Sequence, residues 1–228
     1  MSLKSIILKG YFSRREAAID YFRRHPAEVQ ERMLRYLLRR GQNTEFGWRY
    51  NLKGIRTPEQ FASSVETFDY DTFRPYRERM LAGERNVTTE GRVELFAKSS
   101  GTTSDRSKYI PVTRESLWRN HTLGMRDVAT LFSAAFPRSS VFAGKTLTLG
   151  GTCCREGRNL VGDLSAVLIH ETTVWSGWFR APRTATAILD DFDLKCERIC
   201  RECTGERITA FAGVPSWNLE LMRRVLEY

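Results

Sequence analysis

Phe96-Ala97-Lys98-Ser99-Ser100-Gly101-Thr102-Thr103-Ser104-Asp105-Arg106-Ser107-Lys108-Tyr109-Ile110-Pro111 is the stretch on which both the fold and the chemistry of this chain turn. The apolar run just ahead of it, residues 93–97, reads as a short strand that delivers the chain straight into a polar turn. Ser99, Ser100, Thr102, Thr103 and Ser104 surround Gly101, which lets the backbone turn tightly and approach a ligand. Neighbouring N–H groups in such a turn can converge on an anion, the hydroxyls donate further hydrogen bonds, and Lys108 adds a point charge. That set suits phosphate oxygens. The same composition also makes a plain flexible surface loop, and chemistry alone leaves both readings open. The spacing is neither the Gly-x4-Gly-Lys-Ser/Thr of a Walker loop nor the Gly-x-Gly-x-x-Gly of a dinucleotide turn.

Outward from this turn, the carboxy-terminal side alternates strands and helices. Residues 145–149 read as a strand bounded by glycines, 166–170 as another, 190–203 as a helix, 208–212 as a strand and 216–228 as a helix. Between the turn and these strands, Thr113 with Glu115 opens an amphipathic helix that runs to about residue 135. The amino-terminal side is helical. Ala17, Ala18, Tyr21, Phe22, Val29, Met33, Tyr36, Leu37 and Leu38 recur at helical spacing, with Pro26 dividing two helices and Gly41 ending the second. Residues 42–55 read as an ordered loop, Thr57-Pro58-Glu59-Gln60 as the start of a short helix, and 72–82 as a further helix. The expected class is therefore α/β: amino-terminal helices followed by a layered unit with a mostly parallel sheet. Residues 1–90 form the helical region and 91–228 the α/β part, expected to make one structural unit.

Ser99-Ser100-Gly101-Thr102-Thr103, followed by Lys108 and Ile110-Pro111, resembles the nucleotide-phosphate motif of the acyl-adenylating superfamily. It most resembles the version in the Gretchen Hagen, or auxin-responsive promoter, family of acyl acid amido synthetases. Phe46-Gly47, Phe61, Tyr70-Asp71, Pro75-Tyr76 and Gly213-Val214-Pro215-Ser216-Trp217 occur in that family's order. The resemblance implies the first half of an adenylating enzyme's large domain. It further implies a ligase that activates a carboxylic acid with ATP and Mg²⁺ as an acyl adenylate and joins it to an amine, often of an amino acid. On that reading Ser99, Ser100, Gly101, Thr102, Thr103 and Lys108 hold the phosphates. Asp105 stands where many members have glycine, and the family's later Tyr-Arg-x-Gly-Asp segment has no counterpart before Tyr228. The expectation is an amino-terminal fragment, inactive alone, with no assigned catalytic residue.

Two further places have open readings. Val214, Pro215 and Trp217 lie between a strand and a helix, where ligands rest in open α/β sheets, and either line the acid pocket or simply make a turn. Arg126 either meets the acid's carboxylate or is a solvated helix arginine. Cys196, Cys200 and Cys203 have radical-cluster spacing, yet Glu202 precedes the third cysteine and the segment reads as a helix with the thiols on one face. Core packing is expected for them and for Cys153-Cys154, with no metal.

The 228 residues carry a formal charge of +9, 41% apolar residues and five cysteines. An odd, sparse cysteine count excludes a disulfide framework, and no apolar run is long enough for a membrane span or a signal core. The expected location is the cytoplasm, with small acid and amine substrates and neither membrane nor nucleic acid as partner. Much of the charge lies at Arg14-Arg15, Arg23-Arg24, Arg32, Arg35 and Arg39-Arg40. This is either a solvated helix face or a docking surface, and the alternative function is a basic, non-catalytic binding module for nucleotide, nucleic acid or protein.

Overall fold

A computed structural model describes residues 3–99, 108–172 and 177–228. Along the chain the helices are α1 (Leu3–Ser13), α2 (Glu16–Arg24), α3 (Pro26–Gly41), α4 (Glu45–Arg49), α5 (Pro58–Ser64) and α6 (Arg74–Leu81). Strands β1 (Leu95–Lys98) and β2 (Tyr109–Val112) follow. A helix of three parts comes next: α7 (Arg114–Ser116), a π-turn (Leu117–Thr122) and α8 (Leu123–Ala135). Then come β3 (Lys145–Thr148), β4 (Cys153–Glu156), β5 (Asn159–Asp163), α9 (Leu164–Glu171), β6 (Arg180–Ala181), α10 (Thr184–Ala187), α11 (Phe192–Cys203), β7 (Ile208–Ala212) and α12 (Pro215–Glu227). The class is α/β, as the alternation of elements implies. The chain divides into two compact units, one of Ala17–Ser116 with Gly157–Asn159, the other of Met1–Glu16, Leu117–Glu156 and Leu160–Tyr228.

In the first unit, α3 lays Leu38 against Leu52 and Ile55, with Leu34, Phe46, Tyr50, Phe61 and Val65 around them. Leu38, Leu52 and Ile55, which are buried, each contribute about 1.5–3 kcal/mol on leaving water, and the partly buried side chains around them less. The expectation of a loop over 42–55 is corrected, because α4 lies inside it. Its cause is Thr44, which is fully buried: its hydroxyl donates to the Gly41 carbonyl (2.7 Å) and accepts from the Gly47 N–H (3.0 Å), capping the helix. Gly47 packs so tightly that a Cβ there would sit 2.1 Å from the Gly41 carbonyl oxygen.

The second unit holds a sheet in the order β6-β3-β7, with both pairings parallel. One side of its core is Leu147, Leu149, Cys196, Ile199 and Leu221. Residues 166–170, expected as a strand, belong instead to helix α9, where Ala166, Val167 and Ile169 are buried. A short apolar run has no period that separates strand from helix, and the tertiary surroundings decide. The neighbouring strands β4 and β5, the two-residue β6 and helix α1 were not legible as periodic runs. Strand β2 was also missed, because Pro111 lies within it, facing Phe96. Proline is tolerated there because β2 is an edge strand.

Replacing Gly47 by alanine is expected to cost about 1–3 kcal/mol, because backbone rather than a flexible side chain lies in the way. A urea midpoint unchanged in Gly47→Ala would contradict the packing of this corner.

Candidate functional site

β1 and β2 pair antiparallel from Leu95–Val112 to Lys98–Tyr109, so residues 99–108 are the connection of a hairpin. The connection is closed at its base by two hydrogen bonds. The Ser99 N–H donates to the Lys108 carbonyl (2.9 Å), and the Lys108 N–H donates to the Ser99 hydroxyl oxygen (3.3 Å). Of the residues expected to hold phosphate, the structure thus brings Ser99 and Lys108 together. Ser100, Gly101, Thr102 and Thr103 lie outside the described residues.

Beneath this base sits Tyr70, whose hydroxyl accepts from the Tyr109 N–H (2.8 Å). Its ring carries two cations, the Lys108 ammonium 5.1 Å and the Arg77 guanidinium 4.4 Å from the centroid. Arg77 is buried, and its Nε has no hydrogen-bond partner among the described residues. Its NH2 reaches Glu78 only at 3.5 Å, at the limit of a hydrogen bond. Asp69, beside Tyr70, accepts from the backbone and hydroxyl of Thr72 and from the Asp71 N–H. These bonds, with the Thr72 amide first and Lys108 adding charge, hold its carboxyl below the usual carboxylate range. Arg77 and Asp69 escaped the sequence reading. Tyr70 was noted only as part of a motif, because a through-space ring sandwich has no spacing signature.

A second set of groups lies in the other unit, at the carboxyl ends of the parallel strands β3 and β7. The Leu149 N–H donates to the Ala212 carbonyl (2.9 Å), which sets the turn after β3 beside the turn after β7. Gly151 and Thr152 donate their N–H groups to the Ser165 hydroxyl (3.0 Å) and the Asp163 carboxylate (3.0 Å). Only glycine fits at 151, where a Cβ would lie 1.9 Å from the Asp163 oxygen. Lys195 of α11, 2% exposed, reaches the same turn and donates to the Gly150 carbonyl (2.8 Å). Burial pushes its ammonium down, and its nitrogen is 5.9 Å from the Trp217 ring.

Val214, Pro215 and Trp217 are all partly exposed on the turn that opens α12, with Val214 at its N-cap and Trp217 against Phe192. Arg126 is half-buried on α8, its guanidinium 4.4 Å from the Tyr11 ring centroid. Lys195, Asp163 and the Gly150-Gly151 pair were not singled out in the sequence, although glycines bounding a strand were a visible signal.

The cysteine trio lies on α11. Cys196 and Cys200 are buried in the core beneath β3, and Cys203 packs against its rim. Burial pushes all three thiols up, Cys203 to about 11. Cys153 is half-buried, and Cys154 is exposed on β4, which corrects the expectation of core packing for that residue. Among the described residues no group of three or more His, Cys, Asp or Glu side chains is arranged to hold a metal ion. None of the described helices is long and apolar enough to cross a membrane.

Residues 15–156 match the family model described as "GH3 family N-terminal domain". The chain is 31% identical over 106 residues to the indole-3-acetic acid-amido synthetase GH3.2 of Arabidopsis thaliana, a match that covers 46% of this chain and 19% of that protein. It is 28% identical over 89 residues to the jasmonoyl–L-amino acid synthetase JAR6 of Nicotiana attenuata, covering 39% and 15%. Among solved structures, the GH3.15 acyl acid amido synthetase superposes with a TM-score of 0.67 at 18% identity, over 88% of this chain and 36% of that one. Another, of AtGH3.15 in complex with 2,4-DB, superposes with a TM-score of 0.68 at 19% identity. At these identities the solved structures speak for the fold. The matches span about a fifth or less of the two curated relatives' length and about a third of the solved chains.

Two measurements check the second unit. A maleimide reagent near neutral pH is expected to modify Cys154 first and to spare Cys196 and Cys200 until the chain unfolds, read by peptide mass spectrometry. Lys195 gives a pH signature: its folded pKa lies below its ordinary 10.5, so between those two values the unfolded chain binds more protons. Its contribution to stability therefore rises with pH in that window, and the rise is expected to vanish in Lys195→Met.

Proposed function

The chain belongs to the GH3 family, and on that premise we propose that it carries the phosphate-binding part of an ATP-dependent ligase that joins a carboxylic acid to an amine. The family match supports the reaction class, because the curated relatives bear the names of amido synthetases. The observation that carries the assignment to this loop is the closed hairpin base. Ser99 and Lys108 are bonded to each other, and the Lys108 ammonium shares the Tyr70 ring with the Arg77 guanidinium. A buried arginine Nε without a partner and a lysine at the mouth of a hydroxyl-rich turn fit an anionic group better than a plain surface loop does.

In the proposed reaction the acid's carboxylate attacks the α-phosphorus of ATP, pyrophosphate leaves, and an amine then displaces AMP from the acyl adenylate. ATP supplies the leaving group, and Mg²⁺ is expected to share its charge. The work of this chain is positioning and charge neutralisation. Ser99, Ser100, Thr102 and Thr103 donate to the β- and γ-phosphates, Gly101 gives the backbone room, and Lys108 steadies the departing pyrophosphate. The turn bearing Val214, Pro215 and Trp217 is proposed to line the acid or adenylate pocket, since it lies at the carboxyl end of a parallel strand. Arg126, half-buried over Tyr11, is kept as a candidate for the acid's carboxylate. The proposed location remains the cytoplasm.

Titration of the chain with ATP and Mg²⁺ tests the assignment. Ser100→Ala and Lys108→Ala are each expected to weaken binding by about tenfold or more. In a chain continued to the family's length, acid-dependent pyrophosphate release should fall by about 10²–10³ where the lost donor touches developing charge. Full binding and full release in both variants would refute the site.

A further inference from the structure

The arginines of the amino-terminal helices take no part in the chemistry above, yet some of them are arranged around a cavity. Arg32, Arg35 and Arg39 follow one another at i, i+3 and i+7 on α3 and form one wall of a cleft of about 380 Å³. Lys53 and Arg56, after α4, form the other. Its floor is the apolar cluster of Leu38, Leu52 and Ile55, so no charge balances the five cations from below.

Among the described residues no carboxylate lines the cleft. Arg32 and Arg35 make exposed i,i+4 ion pairs with Glu28 and Glu31 at 3.8 and 3.9 Å, beyond hydrogen-bonding reach and weakly held in water. Arg39 and Lys53 have no ion-pair partner among the described residues. Two of the cations are held in place beforehand. The Arg32 guanidinium lies 5.5 Å from the Tyr21 ring centroid, and Arg56 donates to the carbonyls of Lys53 (2.6 Å) and Ile55 (2.9 Å). Side chains fixed in this way lose little freedom when a ligand arrives.

We propose that this cleft is a binding site for a compact polyphosphate anion, separate from the loop of residues 99–108. Five cations around so small a volume are matched by an anion of high charge density, and guanidinium forks fit phosphate oxygens two at a time. An acidic peptide spreads its charges along an extended backbone and calls for a longer groove.

The test is calorimetric titration of the chain with inorganic tripolyphosphate. Arg35→Glu/Arg39→Glu is expected to weaken binding by about tenfold or more, and binding to the wild-type chain should fall steeply with salt. The neutral pair Arg35→Gln/Arg39→Gln should show a smaller loss in the same direction, which keeps the result readable if charge reversal disturbs α3. Arg23→Glu/Arg24→Glu, an equal charge change on α2, should leave this binding intact, and when the titrations are repeated in Lys108→Ala, where the loop of residues 99–108 is weakened, the part lost in Arg35→Glu/Arg39→Glu should remain. No binding overturns the proposal. So does an equal loss in the α2 pair, a loss confined to Lys108→Ala, or equally tight binding of octaglutamate, which would assign the cleft to acidic peptides.

Discussion

A hairpin connection of ten residues, crowded with hydroxyls, is costly to hold in one shape, because every ordered residue loses backbone freedom. Here the ends are fixed by the reciprocal bonds between Ser99 and Lys108, and by the single four-pair ladder of β1 with β2. That closure places the Lys108 backbone, and through Tyr109 the hydroxyl of Tyr70, in fixed register. The cations stacked on Tyr70 depend on it in turn, since a one-residue slip of β2 would turn Tyr109 and its neighbours to the opposite face.

The second unit solves a different problem. Parallel strands end with their carbonyls and the following turns on one side of the sheet, and those turns must be held without a hairpin to close them. Lys195 holds the turn after β3 through one carbonyl, and Asp163 and Ser165 hold it through N–H groups. A buried ammonium is expensive, so its placement at this strand end, beside the ring of Trp217, marks the turn as one whose shape is costly to lose.

Legibility followed the range of the interactions involved. The helices at α3, α5, α6, α11 and α12 were readable, because proline at the first turn, threonine or aspartate caps and helical apolar spacing all act within a few residues. The strands β1, β3 and β7 were readable as apolar runs. α4 was missed because its cap, Thr44, is stabilised by packing against Gly41 and Gly47 that no local pattern displays. α9 was misread because Ala166, Val167 and Ile169 are equally at home in a buried strand.

By itself the sequence determined the α/β class, the hydroxyl-rich turn between apolar runs, the family resemblance and the helical face of the cysteines. Each of these is written in near-neighbour chemistry: caps, periodicity and the order of motifs. Only the tertiary structure decided that the turn is closed as a hairpin by Ser99 and Lys108, that Arg77 and Lys108 share one ring, and that Lys195 is buried against Gly150. It also decided that five basic side chains from two segments enclose a cleft. These are contacts between residues far apart in the chain or across a fold, and their energy comes from burial and through-space electrostatics, for which linear spacing carries no signal.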